Sequence, residues 1–394
     1  MRILHVESGL NSGGQEYRTL AEVRWLRAAG HKAWIVCNQD SEVFQQGLDA
    51  NVPVIPLTMR ATFSPVAAWK LYHLARKLPC DLIHTHSPID AWIAAPLRFL
   101  GLPVVRTRHI TNPVRPTFFR TFCYRYGCDH LIPSAEIIRE MFEDRNRIPR
   151  KQMTVIGEGA DLTEFHPNVN GSPFRQLWGA QAGDILFGCV GMLRPEKGQS
   201  TFIQAAAHAH KQIPNARFVL IGDNSKPGSP MRAKYRDLVQ ENFGYDAWQP
   251  ESHIRLSKET PILMHGHAAD VAAATAALDV AVVPSSAEAQ SRTAPEALCL
   301  GKPVIACRVG GLPEVVDHEK TGLLVPRKDP EALAEAMIRL AKDSALRRQF
   351  ALAAAEEGEK RFSLDARMKE TLEVYEKVLF KRTSSERCCS KNSN

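Results

Sequence analysis

Residues 280–300 read VAVVPSSAEAQSRTAPEALCL, and this stretch decides how the rest of the chain is interpreted. The apolar run 280–283 is typical of a buried strand, and residues 297–300 continue in a helical pattern. Glu288 and Glu296 therefore flank a strand-to-helix turn. In open α/β sheets, ligands bind outside the carboxyl ends of strands, beside the N-termini of the following helices. Both glutamates are candidates for ligand contact, although Glu296 could equally serve only to complement the helix dipole.

Length and composition predict a globular protein of two domains. The chain has 394 residues, which exceeds the usual size of one hydrophobic core, and 44% of them are hydrophobic. The net charge of +7 suits an anionic ligand or an anionic membrane surface. Nucleic acid is not expected as a partner, because no recognised nucleic-acid-binding motif occurs. Nine cysteines without metal-type spacing indicate unpaired thiols in a reducing compartment.

Strand and helix patterns alternate along the chain, which predicts parallel sheets with helices on both faces. Short apolar runs typical of strands occur in the first part of the chain at 3–6, 33–37, 82–83, 104–105, 130–132 and 154–156. A second series lies at 185–190, 217–221, 262–264, 280–283, 303–306 and 323–324. We therefore predict an α/β fold with two sheets.

The domain boundaries follow from breaks in this alternation. Residues 1–165 form the first α/β domain, and residues 166–178 begin with a Pro-, Gly- and Asn-rich segment that we interpret as the linker. Residues 179–364 form the second α/β domain, 365–380 a last helix, and 381–394 a polar tail that we expect to be disordered.

Neither a signal peptide nor a membrane-spanning segment is apparent. A strand pattern begins within the first residues, and no uncharged apolar run approaches the roughly 20 residues that a spanning helix needs. We expect a cytoplasmic protein, and attachment to the inner face of the membrane stays open.

Two loops that follow strands carry residues suited to phosphate. Gly13 and Gly14 lie between the first strand and a helix, where glycine lets the backbone approach a phosphate, although an ordinary turn would use the same pair. Arg194 and Lys197 follow the first strand of the second domain and could neutralise a diphosphate. A solvated basic loop is the alternative for these two.

His84 and His86 are two residues apart, which places both on the same face of a predicted strand, so a metal site has to be considered. The sequence assigns no third ligand to them. We therefore favour hydrogen-bonded structural histidines and expect no metal.

Residues 106–126 interleave arginines with phenylalanines and tyrosines more densely than any other part of the chain. Such a mixture suits an anionic membrane surface or a phosphorylated glycolipid. A core helix with a solvated basic face explains it equally well.

Together these blocks resemble the large family 4 of retaining glycosyltransferases, which use the two-domain B-type fold. The resemblance extends from Met1 to about Phe380, and its strongest block is the pair Glu288 and Glu296, separated by seven residues. Further blocks similar to the family are GGQE at 13–16, RPEKG at 194–198, GKPVIA at 301–306, GGLPE at 310–314 and TGLLVP at 321–326.

The resemblance implies two Rossmann-like domains facing a cleft, with the C-terminal helix crossing back to the first domain. It implies that a nucleotide-diphospho-sugar binds mainly to the second domain. Glu296 is expected to hold the ribose, and backbone near Gly266 to meet the base. Glu288 is expected to position the donor sugar together with the backbone of the three residues that follow it: Ala289, Gln290 and Ser291.

The resemblance also implies how the reaction proceeds. Arg194 and Lys197 are expected to stabilise the leaving diphosphate, and Gly13 and Gly14 to approach it. His109 matches a family histidine near the reacting sugar. The acceptor hydroxyl attacks on the face that the diphosphate leaves, so the anomeric configuration is retained. No metal and no cofactor beyond the donor substrate are expected.

A glycolipid or oligosaccharide acceptor in bacterial cell-envelope synthesis, such as lipopolysaccharide core or exopolysaccharide, is the leading hypothesis. A soluble sugar or sugar-phosphate acceptor and a catalytically silent nucleotide-binding protein are the alternatives. The chain departs from the family at Met192, where many members have Arg, and at Ala289 and Gln290. Glu158 stands within a Gly-Glu-Gly triplet where Pro-Asn-Gly is common.

Overall fold

Each half of the chain builds its own six-stranded parallel sheet. A computed structural model describes residues 1–11, 13–223 and 229–391, except for the side chains of Ser252 and of residues 383–391. Its contacts divide the chain into a first unit, Met1–Glu158 with Leu364–Asn394, and a second unit, Gly159–Ser363. The predicted α/β class with two Rossmann-like domains is confirmed.

The first unit orders its strands β3-β2-β1-β4-β5-β6. The strands are β1 Arg2–Glu7, β2 Lys32–Cys37, β3 Val54–Pro56, β4 Leu82–Thr85, β5 Val104–Arg108 and β6 His130–Pro133. The helices between them are α1 Gly14–Ala28, α2 Glu42–Asp49, α3 Pro65–Lys77, α4 Pro88–Phe99, α5 Phe118–Tyr126 and α6 Glu136–Asn146. The order of the strands reverses between β1 and β4, which is the topological switch point where such sheets bind ligands.

The second unit repeats this topology in the order β12-β11-β10-β7-β8-β9. Its strands are β7 Ile185–Val190, β8 Ala216–Ile221, β9 Ile262–Gly266, β10 Val280–Val283, β11 Val304–Cys307 and β12 Gly322–Val325. Its helices are α7 Ser172–Trp178, α8 Gln199–Gln212, α9 Met231–Phe243, α10 Gln249–Ser252, α11 Val271–Ala276, α12 Thr293–Cys299, α13 Leu312–Val315, α14 Pro330–Lys342 and α15 Ser344–Phe362. The switch point here lies between β7 and β10.

Apart from Arg217 on β8 and His265 on β9, the strands of the second unit lack charged and strongly polar residues, because helices cover both faces of the sheet. Successive residues on β7 point to opposite faces of the sheet: Phe187 packs in one hydrophobic cluster and Leu186 in another. Phe218 and Val219 on the neighbouring strand divide in the same way. This two-sided burial accounts for the strong strand signal in the sequence.

The last helix, α16 Leu364–Lys391, belongs to the first unit. Met368 and Val378 pack in the same core cluster as β1 residue Ile3. The hydroxyl of Tyr375 lies 2.7 Å from Nδ1 of His84 on β4. Helix was predicted only to residue 380 with a disordered tail beyond it, but helix continues to Lys391, and residues 392–394 lie outside the described residues.

The boundary between the units differs from the predicted linker at 166–178. The division falls after Glu158, because Ala160 donates its N–H to the carbonyl of Phe362 at 2.8 Å, within the second unit. Trp178 is fully buried in a core cluster of the second unit, so the end of the predicted linker is part of that domain.

Two strand predictions need correction. Residues 154–156 form no strand, although the N–H groups of Thr154 and Ile156 donate to the carbonyls of Leu131 and Pro133 on β6. The three-residue strand β3 was missed, because a run that short and ending in proline carries little periodicity.

Replacing Tyr375 by Phe tests how firmly α16 is held. The variant leaves Nδ1 of His84 buried without its hydroxyl partner, so we expect a loss of about 1–3 kcal/mol in the free energy of unfolding. Chemical denaturation measures the loss, and Tyr126→Phe, at a partly exposed ring, is the matched control. Equal effects of both substitutions would show that the hydrogen bond to His84 contributes nothing.

Candidate functional site

Two loops of the second unit meet at its switch point. One follows β7 and contains Lys197, and the other follows β10 and contains Glu288. Nζ of Lys197 lies 2.7 Å from Oε2 of Glu288, and the N–H of Ser286 donates to the carbonyl of Glu196 at 2.8 Å. The fold therefore joins two residues that the sequence predicted separately for the donor site.

Glycines without room for a side chain fix this arrangement. Gly198 has a φ of +75°, and a Cβ there would lie 1.9 Å from the carbonyl oxygen of Pro284. Gly310, with a φ of +54°, lies so close to Glu288 that a Cβ would be 1.7 Å from the carbonyl oxygen of that residue. The backbone contacts thus set the spacing of three loops at the carboxyl edge of the sheet.

The Lys197–Glu288 ion pair is partly shielded from solvent. The side chain of Glu288 is 12% exposed, and its Oε2 also accepts a hydrogen bond from Oγ of Ser285 at 3.1 Å. An ammonium group has three donors, and Glu288 engages one of them. The remaining donors are available to an anionic ligand at the end of β7.

Glu296 and Ser291 lie on either side of the start of α12. Glu296 is buried, and one of its oxygens accepts a hydrogen bond from Nη2 of Arg292 at 2.9 Å. Ser291 is buried as well. A sugar hydroxyl bound by Glu296 would have to share the carboxylate with Arg292.

The other predicted donor-site residues lie along the same edge. The carbonyl of Ala289 accepts a hydrogen bond from the N–H of Gly311 at 2.7 Å, and Gln290 is half-buried beside it. Nη2 of Arg194 lies 3.3 Å from Sδ of Met192. Gly266 ends β9 with a φ of +81°. These positions are consistent with one continuous ligand-binding edge in the second unit.

Gly13, Gly14 and His109 belong to the first unit. Gly14 is the first residue of α1, and the N–H of Gly13 donates to Oε2 of Glu16 at 2.8 Å. A side chain of the chain itself therefore caps this helix. A phosphate at the same position would compete with the carboxylate of Glu16.

Glu7, at the carboxyl edge of the first unit's sheet, is a residue that the sequence analysis missed. Its carboxylate, at the end of β1, accepts hydrogen bonds from Oγ of Ser87 at 2.5 Å, Nε2 of Gln15 at 2.7 Å and the N–H of Gly9 at 2.9 Å. Burial, with the nearby charge of Glu16, raises the pKa of Glu7 to about 7. An acidic residue at the end of the first predicted strand was the only signal available.

His109 lies next to Glu158, the residue that departs from the family pattern. Nδ1 of His109 is 3.8 Å from Oε1 of Glu158, which also forms an ion pair with Arg18 at 3.3 Å. Burial lowers the pKa of His109, and Glu158 opposes that shift. The unusual glutamate thus supplies a buried anion between an arginine and the predicted catalytic histidine.

In the structure, histidines of the first sheet lie close to one another and to a buried glutamate, which the sequence did not indicate. Ligand atoms of His5, Glu22, His84 and His86 all lie within 4.8 Å of one another. Nδ1 of His5 is 2.9 Å from Nε2 of His86, a hydrogen-bond distance, whereas two nitrogens on one tetrahedral zinc lie about 3.4 Å apart. Both ring nitrogens of His84 also have partners, Tyr375 and Thr107. That these histidines have a structural role and bind no metal stays a prediction.

The basic and aromatic stretch 106–126 divides into two parts. Arg106 is buried in β5 with its guanidinium 3.7 Å from the ring centre of Tyr124, so this part belongs to the core. Phe118 and Phe119 at the start of α5 are 77% and 71% exposed. Across the described residues, no helix is both long and apolar enough to span a bilayer.

Two family models match the chain, each mainly within one unit. The model described as Glycosyltransferase Family 4 matches residues 12–164, and the model described as Glycosyl transferases group 1 matches residues 184–343. Together they cover well over half of the chain. The chain belongs to glycosyltransferase family 4. The resemblance inferred from the sequence is thereby confirmed.

Relatives within the family differ in what their names say they act on. A D-inositol 3-phosphate glycosyltransferase of Corynebacterium glutamicum is 28% identical over 290 residues, which cover 69% of this chain and 66% of the relative. A UDP-Gal:alpha-D-GlcNAc-diphosphoundecaprenol alpha-1,3-galactosyltransferase of Escherichia coli is 28% identical over 297 residues, 70% of each chain. The matches thus span about two thirds of these relatives' lengths.

A solved structure has the same fold as this protein. HepE of Anabaena, crystallised with UDP, superposes with a TM-score of 0.82 at 21% identity, covering 96% of this chain and all of that one. At this identity the similarity shows the fold.

Replacing Gly198 by Ala tests the backbone contact that places Lys197. We expect Gly198→Ala to destabilise the second unit by clearly more than the roughly 1–2 kcal/mol that a left-handed φ costs alanine, because its Cβ would collide with Pro284. Gly244→Ala is the matched control, with a φ of +82° and no atom within 4 Å of its Cβ. Thermal or chemical denaturation compares them, and equal losses would refute the close approach.

Replacing Glu7 by Gln tests the buried carboxylate through pH. Folding raises the pKa of Glu7 from 4.5 to about 7, so the folded chain keeps a proton that the unfolded chain releases between these values. The free energy of unfolding of the wild type should therefore fall, relative to Glu7→Gln, by about 3 kcal/mol as the pH rises through this range.

Denaturation at several pH values measures that difference. Glu140→Gln, at an exposed position on α6, is the control and should follow the wild-type curve. A Glu7→Gln curve parallel to that of the wild type would contradict the buried, protonated carboxyl.

Proposed function

We propose that the protein is a retaining glycosyltransferase that moves a sugar from a nucleotide-diphospho-sugar to an acceptor hydroxyl. The observation that carries the proposal is the meeting of Lys197 and Glu288 at the switch point of the second sheet, 2.7 Å apart. Membership of glycosyltransferase family 4 supports the class of reaction. The proposal assigns the donor to the second unit and the acceptor to the first.

Catalysis is assigned mainly to electrostatic stabilisation of the leaving diphosphate. Lys197 offers donors that Glu288 does not use, and Arg194 adds a second cation after the same strand. Two cations at this position can balance the charge that develops on the leaving oxygen, so the proposed mechanism requires no metal. The acceptor hydroxyl gives its proton to that oxygen while the new glycosidic bond forms on the same face, which retains the anomeric configuration.

The remaining predicted residues have binding roles in this proposal. Glu296 binds the ribose and Gly266 marks the strand end beside the base. Backbone of Ala289, Gln290 and Ser291 holds the donor sugar with Glu288. His109 contacts the reacting sugar, and the carboxylate of Glu158, 3.8 Å from Nδ1 of His109, favours the protonated form of the imidazole.

We assign the acceptor to the glycolipids of the bacterial cell envelope, with the protein on the cytoplasmic face of the membrane. Support comes from the exposed Phe118 and Phe119, the net charge of +7, and the relative named for a diphosphoundecaprenol substrate. The relatives named for D-inositol 3-phosphate favour the second candidate, a soluble sugar-phosphate acceptor. Binding to vesicles containing anionic lipid distinguishes the two, because only the first requires it.

Lys197→Ala and Arg194→Ala test the assignment of the two cations. Losing one well-placed donor to the leaving group is expected to reduce kcat by roughly 100-fold with little change in melting temperature. Lys211→Ala, at an exposed lysine on α8, is the charge-matched control and should keep full activity.

The measurement is sugar transfer from a panel of UDP-, GDP- and ADP-sugars, with NMR of the product to read its anomeric configuration. Near-normal turnover of both variants would remove the cations from the mechanism. An inverted product would contradict the retaining reaction.

A further inference from the structure

A cavity of about 430 Å³ lies between α5 and α6 in the first unit. Its walls combine three arginines, Arg125, Arg145 and Arg147, with three aromatic rings, Phe118, Phe122 and Tyr126. Within the described ranges, no carboxylate lies at ion-pair distance from these three guanidinium groups, and Nη1 of Arg125 donates to the carbonyl of Arg147 at 3.3 Å. We refer to this site as the α5–α6 cavity.

The arginines have one ordinary explanation. Each lies in or directly after the last turn of a helix, where a cation complements the helix dipole. The helix dipole accounts for the position of each arginine separately. It does not explain why they share a cavity with exposed aromatic rings.

Asn146 supplies a second, independent observation. Its side chain lines the α5–α6 cavity, is 1% exposed, and donates from Nδ2 to Oγ1 of Thr121 at 3.3 Å. Its Oδ1 is buried and has no hydrogen-bond partner among the described residues. A buried acceptor without a partner costs about 1–3 kcal/mol, so a ligand O–H group would be stabilised there if the Asn146 side chain turned Oδ1 toward the cavity.

The rim of the cavity is apolar. Phe118 lines the cavity and is mostly exposed, and Phe119 next to it is exposed as well. The ring of Phe99 on α4 stacks on that of Phe122 with centroids 6.1 Å apart, which extends the surface. Aromatic residues beside cations are typical of segments that lie at the interface of anionic membranes.

We propose that the α5–α6 cavity binds the phosphate-bearing headgroup of a membrane lipid. Arg125, Arg145 and Arg147 bind the phosphate, since guanidinium forks match its oxygens. Asn146 accepts a hydrogen bond from the protonated oxygen of the phosphate monoester, and the apolar chain leaves along Phe118 into the bilayer. This proposal rests on the proposed function in one respect. That function is the reason for choosing a membrane lipid, and not a soluble phosphate metabolite, as the ligand.

Calorimetric titration of the full chain tests the proposal with three probes: dihexanoyl phosphatidic acid and dihexanoyl phosphatidylcholine, both below their micelle concentrations, and inorganic phosphate. We expect phosphatidic acid to bind at least about tenfold more tightly than either of the others, because only it offers both phosphate monoester and acyl chains. The double variant Arg145→Gln/Arg147→Gln should weaken that binding at least about tenfold.

The control variant Arg76→Gln/Lys77→Gln, at two exposed residues on α3, removes the same charge and should bind like the wild type. Both arginines of the double variant are exposed, so the fold should survive the change, and a circular dichroism melt verifies it. Equal affinity for phosphatidylcholine would overturn headgroup recognition, and equal affinity for inorganic phosphate would make the cavity a simple anion site. Unchanged binding by the double variant would place the lipid elsewhere.

These titrations contain no nucleotide-sugar. A protein that bound phosphatidic acid in the cavity but transferred no sugar would contradict only the proposed function. A protein that transferred sugar but failed these titrations would contradict only the lipid site.

Discussion

The candidate ligand-binding edge of the second unit depends on backbone segments that approach too closely to admit a side chain. Gly198 lies against the carbonyl of Pro284, and Gly310 lies against that of Glu288. An ion pair such as Lys197 with Glu288, open to water on one side, contributes little stability by itself. The backbone contacts therefore place the charges, and the ion pair is a consequence of that placement. The stability of the loops therefore depends on the backbone contacts, whereas their proposed chemistry depends on the charged side chains.

The first unit is organised around buried charge. Arg18 donates to Glu22 at 2.7 Å and forms an ion pair with Glu158, and all three side chains are buried. Removing Arg18 would leave two buried carboxylates without the cation that they share, which is strongly destabilising. His109 lies at the end of this network, so the departure at Glu158 changes the surroundings of a predicted catalytic residue.

The sequence predicted the parts of the fold that leave a local signal. The strands at 185–190 and 280–283 match the structure residue for residue, since runs buried on both faces are continuously apolar. The unit boundary was misplaced because Ala160 pairs with the backbone of Phe362, a contact between segments far apart in the chain. No periodicity reports such a contact.

For the site residues, too, the sequence indicated what leaves a local signal and missed what depends on contacts between distant segments. The types and spacing of Glu288 and Glu296 indicated a ligand site, but the pairing of Lys197 with Glu288 joins residues 91 positions apart. The α5–α6 cavity brings Arg125 together with arginines at the end of another helix. Pairings of this kind arise from tertiary packing, so they could not be deduced from patterns along the chain.

The central claim is that the second unit binds a nucleotide-diphospho-sugar, and a thermal-shift titration with UDP-, GDP- and ADP-sugars tests it most directly. Ligand at about 100 times its Kd stabilises the folded state by about 2.7 kcal/mol. We predict that one nucleotide class raises Tm in a concentration-dependent way, and that Glu296→Gln weakens this effect. No rise in Tm with any of the three classes would contradict the account.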